Sequence, residues 1–249
     1  MNRLTNKRAL ITGGTSGIGL ETARQFLAEG ARVAITGSSE ASIDAARREF
    51  GDSVLILRSN AGVVAEQPAL ASAIGEAFGG LDLVFINAGV AELRPVAQWD
   101  EAAFDRTFAI NLKGPYFLLQ ALLPLLANPS SVVLNTSVNA HIGMPNSSVY
   151  AASKAGLISL ARTLSGELIG RGIRVNAISP GPISTPLYGK LGLSDDDLQK
   201  TAESIRALVP AGRFGTPNEI AKAVVFLASD ESAFTVGSEL LIDGGMSGI

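Results

Sequence analysis

Short apolar runs alternate with longer amphipathic stretches along almost the whole chain, and this alternation restricts the fold more than any other feature of the sequence. The apolar runs are nearly continuous, which is typical of parallel strands covered on both faces. They occupy residues 9–12, 32–36, 54–58, 83–87, 131–136, 173–179 and 239–243. Strands and helices in regular alternation predict an α/β fold with a doubly wound parallel sheet in three layers.

Stretches with helical periodicity fill the intervals between these runs. The predicted helices are residues 16–29, 40–50, 63–78, 100–126, 149–169 and 217–228. Gly30, Gly51 and Gly172 follow such stretches, at the position where a left-handed residue ends a helix. Neither a Pro/Gly/Ser-rich linker nor an internal repeat divides the 249 residues, so we expect one domain over residues 1–249.

One segment, residues 186–215, interrupts the alternation. It contains a short helical pattern that begins at Ser194, and it precedes the last predicted helix and strand. Open α/β sheets bind ligands beyond the carboxyl ends of their strands, where such insertions lie. We therefore expect this segment to form a small lid over a substrate.

Composition excludes several classes of protein. The formal net charge is −3 and no basic run exceeds the pair Arg47-Arg48, so we expect no nucleic-acid partner. The chain has no cysteine and one histidine, His141, which predicts no disulfide framework and no metal site. No apolar stretch reaches about 18 residues, and the first residues lack the apolar region of a secretory signal. These features predict a cytoplasmic protein with no membrane partner.

A glycine-rich turn follows the first predicted strand and opens directly into the first helix. Glycine lets a backbone approach a pyrophosphate closely, and a helix N-terminus offers unpaired N–H groups with partial positive charge. With a strand before it and a helix after it, the turn predicts a dinucleotide site. The turn residues that we expect to contact the cofactor are Gly13, Thr15, Ser16, Gly17, Ile18 and Gly19.

The residues after the second predicted strand bear on the choice between NAD and NADP. An acidic residue there would accept hydrogen bonds from the adenosine ribose and repel a 2′-phosphate. The chain has Gly37, Ser38 and Ser39 instead, so the sequence favours NADP(H), with the serine hydroxyls and backbone N–H groups on the phosphate. Arg58, at the end of the third predicted strand, is a further candidate contact. NAD(H) is the alternative cofactor.

Tyr150 and Lys154 lie four residues apart at the start of a predicted helix, and therefore on one face of it. A tyrosine with the ordinary pKa of about 10 is too weak a base at neutral pH, but a neighbouring ammonium favours the phenolate. Such a phenol exchanges a proton with an alcohol or carbonyl while hydride moves. Ser137 follows the strand predicted at 131–136, where its hydroxyl can hydrogen-bond the same substrate oxygen.

Taken together, these motifs resemble the short-chain dehydrogenase/reductase family in its single-domain form of about 250 residues. The resemblance covers nearly the whole chain in family order, and it implies a Rossmann-like fold. The matching pieces are Thr12-Gly-x-x-x-Gly-Ile-Gly19, Asn87-Ala-Gly89, Asn111, Ser137, Tyr150-x-x-x-Lys154, Pro180-Gly-x-Ile-x-Thr185 and Asp243-Gly-Gly245.

The resemblance implies a role for each catalytic position. Tyr150 corresponds to the acid/base and Ser137 to its partner on the substrate oxygen. Lys154 corresponds to the lysine that binds the nicotinamide ribose and lowers the tyrosine pKa. Asn111 corresponds to the asparagine that holds a water in a proton relay to that lysine.

The resemblance also implies cofactor contacts beyond the glycine turn. Ser59 and Asn60 stand where many relatives have an aspartate that touches adenine, so this contact departs from the family pattern. The positions implied beneath the cofactor and against the nicotinamide carboxamide are Asn87, Ala88, Gly89, Pro180, Gly181, Ile183 and Thr185.

The implied reaction is the interconversion of a hydrophobic ketone or aldehyde and its alcohol, because the candidate substrate pocket is mostly apolar. The pocket residues predicted from the sequence are Leu93, Asn139, His141, Met144, Leu187 and Tyr188. A 3-oxoacyl-[acyl-carrier-protein] reductase is the closest alternative, although residues 124–131 offer no basic side chain to an acidic carrier.

Other classes of function fit the sequence less well. A serine hydrolase would need a Gly-x-Ser-x-Gly elbow, which is absent, and would have to use His141. A regulator that binds NAD(P) without turnover would have no need of a proton path. Apolar residues on more than one face of the helices at 100–126 and 149–169, such as Phe104, Phe108 and Tyr116, indicate an assembly, and relatives suggest a homotetramer.

Overall fold

Seven parallel strands form one sheet in the computed structural model, which describes residues 2–185 and 195–249. Their order across the sheet is β3-β2-β1-β4-β5-β6-β7. The doubly wound parallel sheet predicted from the alternation is therefore confirmed. The strands are β1 (Arg8–Ile11), β2 (Arg32–Gly37), β3 (Val54–Arg58), β4 (Leu81–Ile86), β5 (Leu126–Asn135), β6 (Ile173–Pro180) and β7 (Glu239–Ile242).

Helices cover both faces of this sheet, and each face has its own hydrophobic core. Phe26 of α1 and Val224 of α8 pack on one face, whereas Ile74 of α3, Leu119 of α5 and Leu157 of α6 pack on the other. The helices are α1 (Gly17–Ala28), α2 (Glu40–Phe50), α3 (Gln67–Phe78), α4 (Glu101–Phe108), α5 (Gly114–Leu122), α6 (Ser148–Leu168), α7 (Asp195–Ala207) and α8 (Pro217–Ala228).

Two predicted elements differ from the structure around residue 126. The helix predicted at 100–126 is divided by a π-helical turn, Ala109–Lys113, and ends in the short 3₁₀ segment Leu123–Leu125. The strand predicted at 131–136 begins earlier, at Leu126. Proline is unusual in a strand inside a sheet, but the register between β4 and β5 is irregular here, and such an irregularity accommodates Pro129. The other predicted strands and helices begin and end within a few residues of the observed ones.

The strand order reverses between β1 and β4, the two neighbours from which the sheet is built outward. Helices on opposite faces leave a crevice at such a point, beyond the carboxyl ends of the strands. The glycine turn follows β1, Asn87 follows β4 and Ser137 comes two residues after β5. The topology thus brings motifs separated by up to 124 residues in sequence to one edge.

The last part of the insertion returns to this edge. Gly215 forms a parallel bridge with Ile183, and its N–H donates to the Pro182 carbonyl at 2.9 Å. Thr216 and Glu219 then form a capping box at the start of α8. Arg213 donates to Glu219 at 2.6 Å, and this bond lowers the pKa of Glu219 to about 2. Residues 213–216 are therefore held at the carboxyl end of β6.

Candidate active site

The glycine turn lies tightly against the loop after β4. Gly13 and Gly17 have positive φ angles of 62° and 54°, which favour glycine. A Cβ on Gly19 would lie 2.4 Å from the Gly13 carbonyl oxygen. Asn87 Nδ2 donates to the carbonyls of Thr12 (3.0 Å) and Gly13 (3.2 Å), which fixes the turn. No side chain that the structure describes caps the first turn of α1, so its N–H groups fit a pyrophosphate.

The carboxyl end of β2 presents hydroxyls and one cation. Ser38 and Ser39 are exposed beside Gly37, and no acidic residue stands there. Arg58 pairs in register with Gly37, and its exposed guanidinium has no ionic partner among the described residues. This arrangement fits a phosphate on the adenosine ribose.

Ser42 joins this group, although the sequence analysis did not select it. Its hydroxyl lies 3.1 Å from Thr15 Oγ1 and donates to the Ser39 carbonyl at 2.9 Å. A Cβ on Gly37 would lie 2.7 Å from the Thr15 side chain. The contact between Ser42 and Thr15 joins segments 27 residues apart, and no local spacing signals it.

Ser59 and Asn60, beyond β3, occupy different environments. Ser59 is buried, and its N–H donates to the Gly37 carbonyl at 3.0 Å. Asn60 Oδ1 accepts a bond from the Gly62 N–H at 3.0 Å, so this side chain is engaged within its own loop. A narrow cavity of about 10 Å³ between Ser59, Ala88 and Gly114 marks the adjoining crevice.

Ser137 and Tyr150 lie beside each other at the carboxyl edge of the sheet. Ser137 is buried, and its Oγ also accepts a bond from the Asn139 N–H at 3.2 Å. Burial raises the pKa of Tyr150, and the neighbouring Ser137 side chain offsets only part of that rise. Burial sets the direction of this shift in the protein alone, and the expectation that Lys154 lowers the tyrosine pKa stays a prediction.

Lys154 lies buried one helical turn after Tyr150, with 4% of its surface exposed. Its Nζ donates to the Asn135 carbonyl at 2.8 Å and lies 5.9 Å from the centre of the Tyr150 ring. Burial lowers the pKa of Lys154 to about 8. The lysine therefore carries its charge at neutral pH but releases a proton far more readily than a lysine in water.

Asn111 is fully buried in the π-helical turn. Its Oδ1 accepts from the Val90 N–H at 2.9 Å, and its Nδ2 donates to the Val90 carbonyl (2.9 Å) and Ser153 Oγ (3.0 Å). A Cβ on Gly89 would lie 3.2 Å from both Asn111 Oδ1 and Lys154 Nζ. The missing side chain of Gly89 thus leaves a small space between these two polar atoms.

The loop after β6 approaches the glycine turn. Gly181 donates to the Ile242 carbonyl at 3.0 Å, and a Cβ on it would meet Asp243 Cα at 2.7 Å. Ile183 is buried, and the Thr185 side chain lies 3.5 Å from the Cβ position of Gly17. The motif that begins at Pro180 is thereby brought beside the N-terminus of α1.

The predicted substrate-pocket residues do not all behave alike. Asn139 Nδ2 contacts Met144 Sδ at 3.6 Å, so these two lie together, while Leu93 is 39% exposed. His141 Nε2 lies 2.5 Å from a carboxylate oxygen of Glu239 on β7, a partner that the sequence analysis missed. Leu187 and Tyr188 fall outside the residues that the structure describes.

Comparisons with known proteins agree with this geometry. A family model described as enoyl-(acyl carrier protein) reductase matches residues 13–247. The chain is 35% identical to 3-oxoacyl-[acyl-carrier-protein] reductase FabG of Thermotoga maritima, over 98% of this chain and 99% of the relative. A solved structure of a Serratia marcescens short-chain dehydrogenase/reductase variant superposes with a TM-score of 0.90 at 28% identity, covering 98% of this chain and 99% of that one.

The chain belongs to the short-chain dehydrogenase/reductase family. The structure of another protein, levodione reductase, superposes with a TM-score of 0.91 at 34% identity and covers 98% of this chain and 99% of its own. The family's named members are dehydrogenases and reductases, and this chain is an NAD(P)-dependent oxidoreductase. Within the part of the chain that is described, no helix is both long and apolar enough to cross a membrane.

The buried charge of Lys154 predicts a specific pH dependence of stability. The unfolded chain holds the lysine proton up to about pH 10.5, whereas the folded chain releases it near pH 8. Folding therefore becomes more favourable as the pH rises between these values, by up to about 3 kcal/mol. Lys154→Met lacks this gain, so the unfolding free energy of the wild type relative to this variant should rise from pH 7 to pH 10 in urea titrations.

Lys113→Met serves as the control, because the Lys113 side chain is exposed to solvent. Its difference from the wild type should stay constant over the same pH range. A constant difference for Lys154→Met as well would contradict a buried ammonium.

Proposed function

We propose that this chain is a carbonyl reductase that prefers NADP(H) and interconverts a hydrophobic ketone or aldehyde and its alcohol. One observation carries the proposal: the buried ammonium of Lys154 lies 5.9 Å from the centre of the Tyr150 ring, and buried Ser137 lies beside Tyr150 at the carboxyl edge of the sheet. The apolar character of Leu93 and Met144 supports an uncharged, hydrophobic substrate.

In this mechanism Tyr150 would give a proton to the carbonyl oxygen in reduction and take one from the alcohol in oxidation, with a bound dinucleotide as the donor or acceptor of hydride. The raised pKa of Tyr150 keeps its phenol protonated at neutral pH, so it is ready to donate to the oxygen of a carbonyl substrate. Ser137 accepts a bond from Asn139, which leaves its own O–H for the substrate oxygen. The product alcohol gains one hydride at carbon and one proton at oxygen.

Lys154 would return a proton to Tyr150 in the proposed cycle, and Asn111 would hold the water from which the lysine regains it. The space left by Gly89 adjoins both Lys154 Nζ and Asn111 Oδ1, and it suits a small polar molecule such as water. A lysine with a pKa of about 8 exchanges protons readily near neutral pH. The same charge favours ionised Tyr150 after the proton has left, because opposite charges attract strongly in a buried site.

The cofactor is assigned to the residues at the carboxyl edge of β1 to β4 and β6. The α1 N-terminus holds the pyrophosphate, and hydroxyls of Ser38 and Ser39 together with Arg58 hold the 2′-phosphate. The complete set of proposed cofactor contacts is Gly13, Thr15, Ser16, Gly17, Ile18, Gly19, Gly37, Ser38, Ser39, Ser59, Asn60, Asn87, Ala88, Gly89, Tyr150, Lys154, Pro180, Gly181, Ile183 and Thr185. Residues 186–215 would cover the substrate as a lid within the same domain.

A 3-oxoacyl-[acyl-carrier-protein] reductase is the second candidate, favoured by the 35% identity to FabG of Thermotoga maritima. An acidic carrier needs exposed basic side chains near the site. Arg174 is buried and donates to the carbonyls of Leu227 and Ser229, and Arg171 donates to the Leu123 carbonyl. These arginines are engaged within the fold, which favours a small free substrate.

We also propose that the active form is a homotetramer. Phe104 and Tyr116, on α4 and α5, are each more than 40% exposed, and Leu240 and Leu241 of the edge strand β7 are similarly uncovered. Apolar groups of this size on a monomer indicate surfaces that a second copy covers. The assembly is independent of the catalytic assignment.

Tyr150→Phe tests the proposed proton donor. Losing a positioned general acid should lower kcat for reduction of a hydrophobic cyclic ketone about a thousandfold. The dissociation constant for NADPH should change by less than about threefold, because only one hydroxyl is removed. Steady-state rates and fluorescence titration measure the two quantities.

Tyr116→Phe is the matched control and should keep the wild-type rate. Wild-type turnover by Tyr150→Phe would contradict the mechanism. NADPH binding without turnover of any free ketone or acyl-carrier substrate by the wild type would instead identify a non-catalytic regulator.

Arg58→Gln tests the proposed phosphate contact. The wild type should bind NADPH at least about tenfold more tightly than NADH, and the variant should lose most of this preference, because a charge-assisted bond to phosphate is removed. Its affinity for NADH should not change. Titration of both nucleotides at one salt concentration gives the ratio.

Arg48→Gln is the matched control, because Arg48 is an exposed arginine on a different element, α2. This variant should keep the wild-type ratio of NADPH affinity to NADH affinity. Equal affinity of the wild type for NADH and NADPH would overturn the assignment of the site around Ser38 to a phosphate.

A further inference from the structure

Glu239, the first residue of β7, bonds to His141 at one end of the turn that carries Ser137 and is linked through Ser179 to Thr136 at the other end. His141 Nε2 lies 2.5 Å from Glu239 Oε1. The same oxygen accepts a hydrogen bond from Ser179 Oγ, and Ser179 Oγ in turn contacts Thr136 Oγ1. Thr136 precedes Ser137 and His141 ends the short helical turn Val138–Ala140, so one carboxylate reaches the segment from both sides.

The sheet register explains how this contact arises. Glu239 pairs with Ala177, and Asn135 pairs with Ile178, so Glu239 and Ser179 project from the same face of the sheet as Thr136. Thr136 completes the link by donating its N–H to the Ile178 carbonyl at 2.8 Å. Three neighbouring polar side chains therefore lie in one row beneath the turn: Thr136, Ser179 and Glu239.

Burial makes this row rigid. The Glu239 side chain is only 10% exposed, and a carboxylate removed from water needs hydrogen-bond donors. His141 and Ser179 supply them, and Arg162 of α6 adds a more distant cation at 3.9 Å from the other oxygen. Because a carboxylate only accepts, Nε2 of His141 carries the proton in this bond.

The turn itself has few other constraints. Within it, the Ala140 N–H donates to the Ser137 carbonyl at 3.0 Å and the His141 N–H donates to the Val138 carbonyl at 2.8 Å. A single 3₁₀ turn with two such bonds is a short element that relies on its surroundings for a fixed geometry. Glu239 holds the His141 end of the turn from beneath, whereas the Thr136 end is held by two bonds to the Ile178 carbonyl and by the contact with Ser179.

We propose that Glu239 and His141 are positioning residues that clamp the turn and set the Ser137 hydroxyl against Tyr150. The inference rests on the proposed function, because it concerns the geometry of that reaction. It gives His141 a task different from lining the substrate pocket, and it extends the active site to the last strand of the sheet. Neither residue touches the reacting atoms.

Alanine variants test the clamp in the full-length protein. Displacing a catalytic hydroxyl by a fraction of an ångström should lower kcat for ketone reduction about ten- to a hundredfold in Glu239→Ala and in His141→Ala. The dissociation constant for NADPH should stay within about twofold in both, because the glycine turn is untouched. A purely structural defect would weaken both quantities together.

Conservative variants separate positioning from loss of folding. An amide oxygen still accepts from His141 and Ser179, and a glutamine nitrogen still donates to Glu239. Glu239→Gln and His141→Gln should therefore return kcat to within about threefold of the wild type. Arg162→Gln, which changes only the distant cation, should leave kcat unaltered.

Hydrogen exchange measures how firmly the turn is held, and it does not require catalytic turnover. Backbone amides of residues 137–141 should exchange with deuterium faster in both alanine variants than in the wild type, since the turn opens more often. His141 is the only histidine of the chain, so its imidazole N–H gives one assignable proton resonance, which Glu239→Ala should abolish.

The possible results are distinct. A kcat within twofold of the wild type in His141→Ala, or unchanged exchange at residues 137–141, would overturn the clamp even if Glu239→Ala fails to fold. Absence of any carbonyl turnover by the wild type would overturn the proposed function, and the exchange measurement would still decide whether the clamp exists.

Discussion

The site depends on one residue, Asn135, whose backbone carbonyl and side chain join its two halves. The Asn135 carbonyl accepts the bond from Lys154 Nζ, and its Nδ2 donates to Asn87 Oδ1 at 2.8 Å. Asn87 in turn donates to the backbone of the glycine turn at Thr12 and Gly13. A continuous series of contacts through Asn135 and Asn87 therefore runs from the buried Lys154 to the turn that fits a pyrophosphate, across the point where the strand order reverses.

Burial decides the protonation states around this link. Loss of hydration raises the pKa of Tyr150 and lowers that of Lys154, so both shifts favour uncharged forms. A neutral phenol beside a lysine near its titration point is suited to giving a proton to a carbonyl and recovering it afterwards. The same burial costs stability at neutral pH, a cost that functional sites commonly carry.

The sequence was sufficient for the architecture and for the residues that gather at the carboxyl edge. Continuous apolar runs specify buried parallel strands, and motifs placed just after them must meet at one edge. The sequence did not predict side-chain contacts between residues that are far apart along the chain. Asn135 bonds to Asn87, 48 residues away, and His141 bonds to Glu239, 98 residues away. The raised pKa of Tyr150 was also not predicted, because it comes from burial and not from the spacing between Tyr150 and Lys154. The π-helical turn at Ala109–Lys113 leaves no periodicity that distinguishes it from helix.

Hydride transfer to a carbonyl is the central claim, and isotope transfer tests it most directly. The purified protein would be incubated with NADPH deuterated at one face of the nicotinamide C4 and with a hydrophobic cyclic ketone, and the alcohol analysed by mass spectrometry and NMR. The account predicts one deuterium at the carbinol carbon for one of the two labelled faces and none for the other. An alcohol without deuterium from either cofactor, or no alcohol at all, would contradict it.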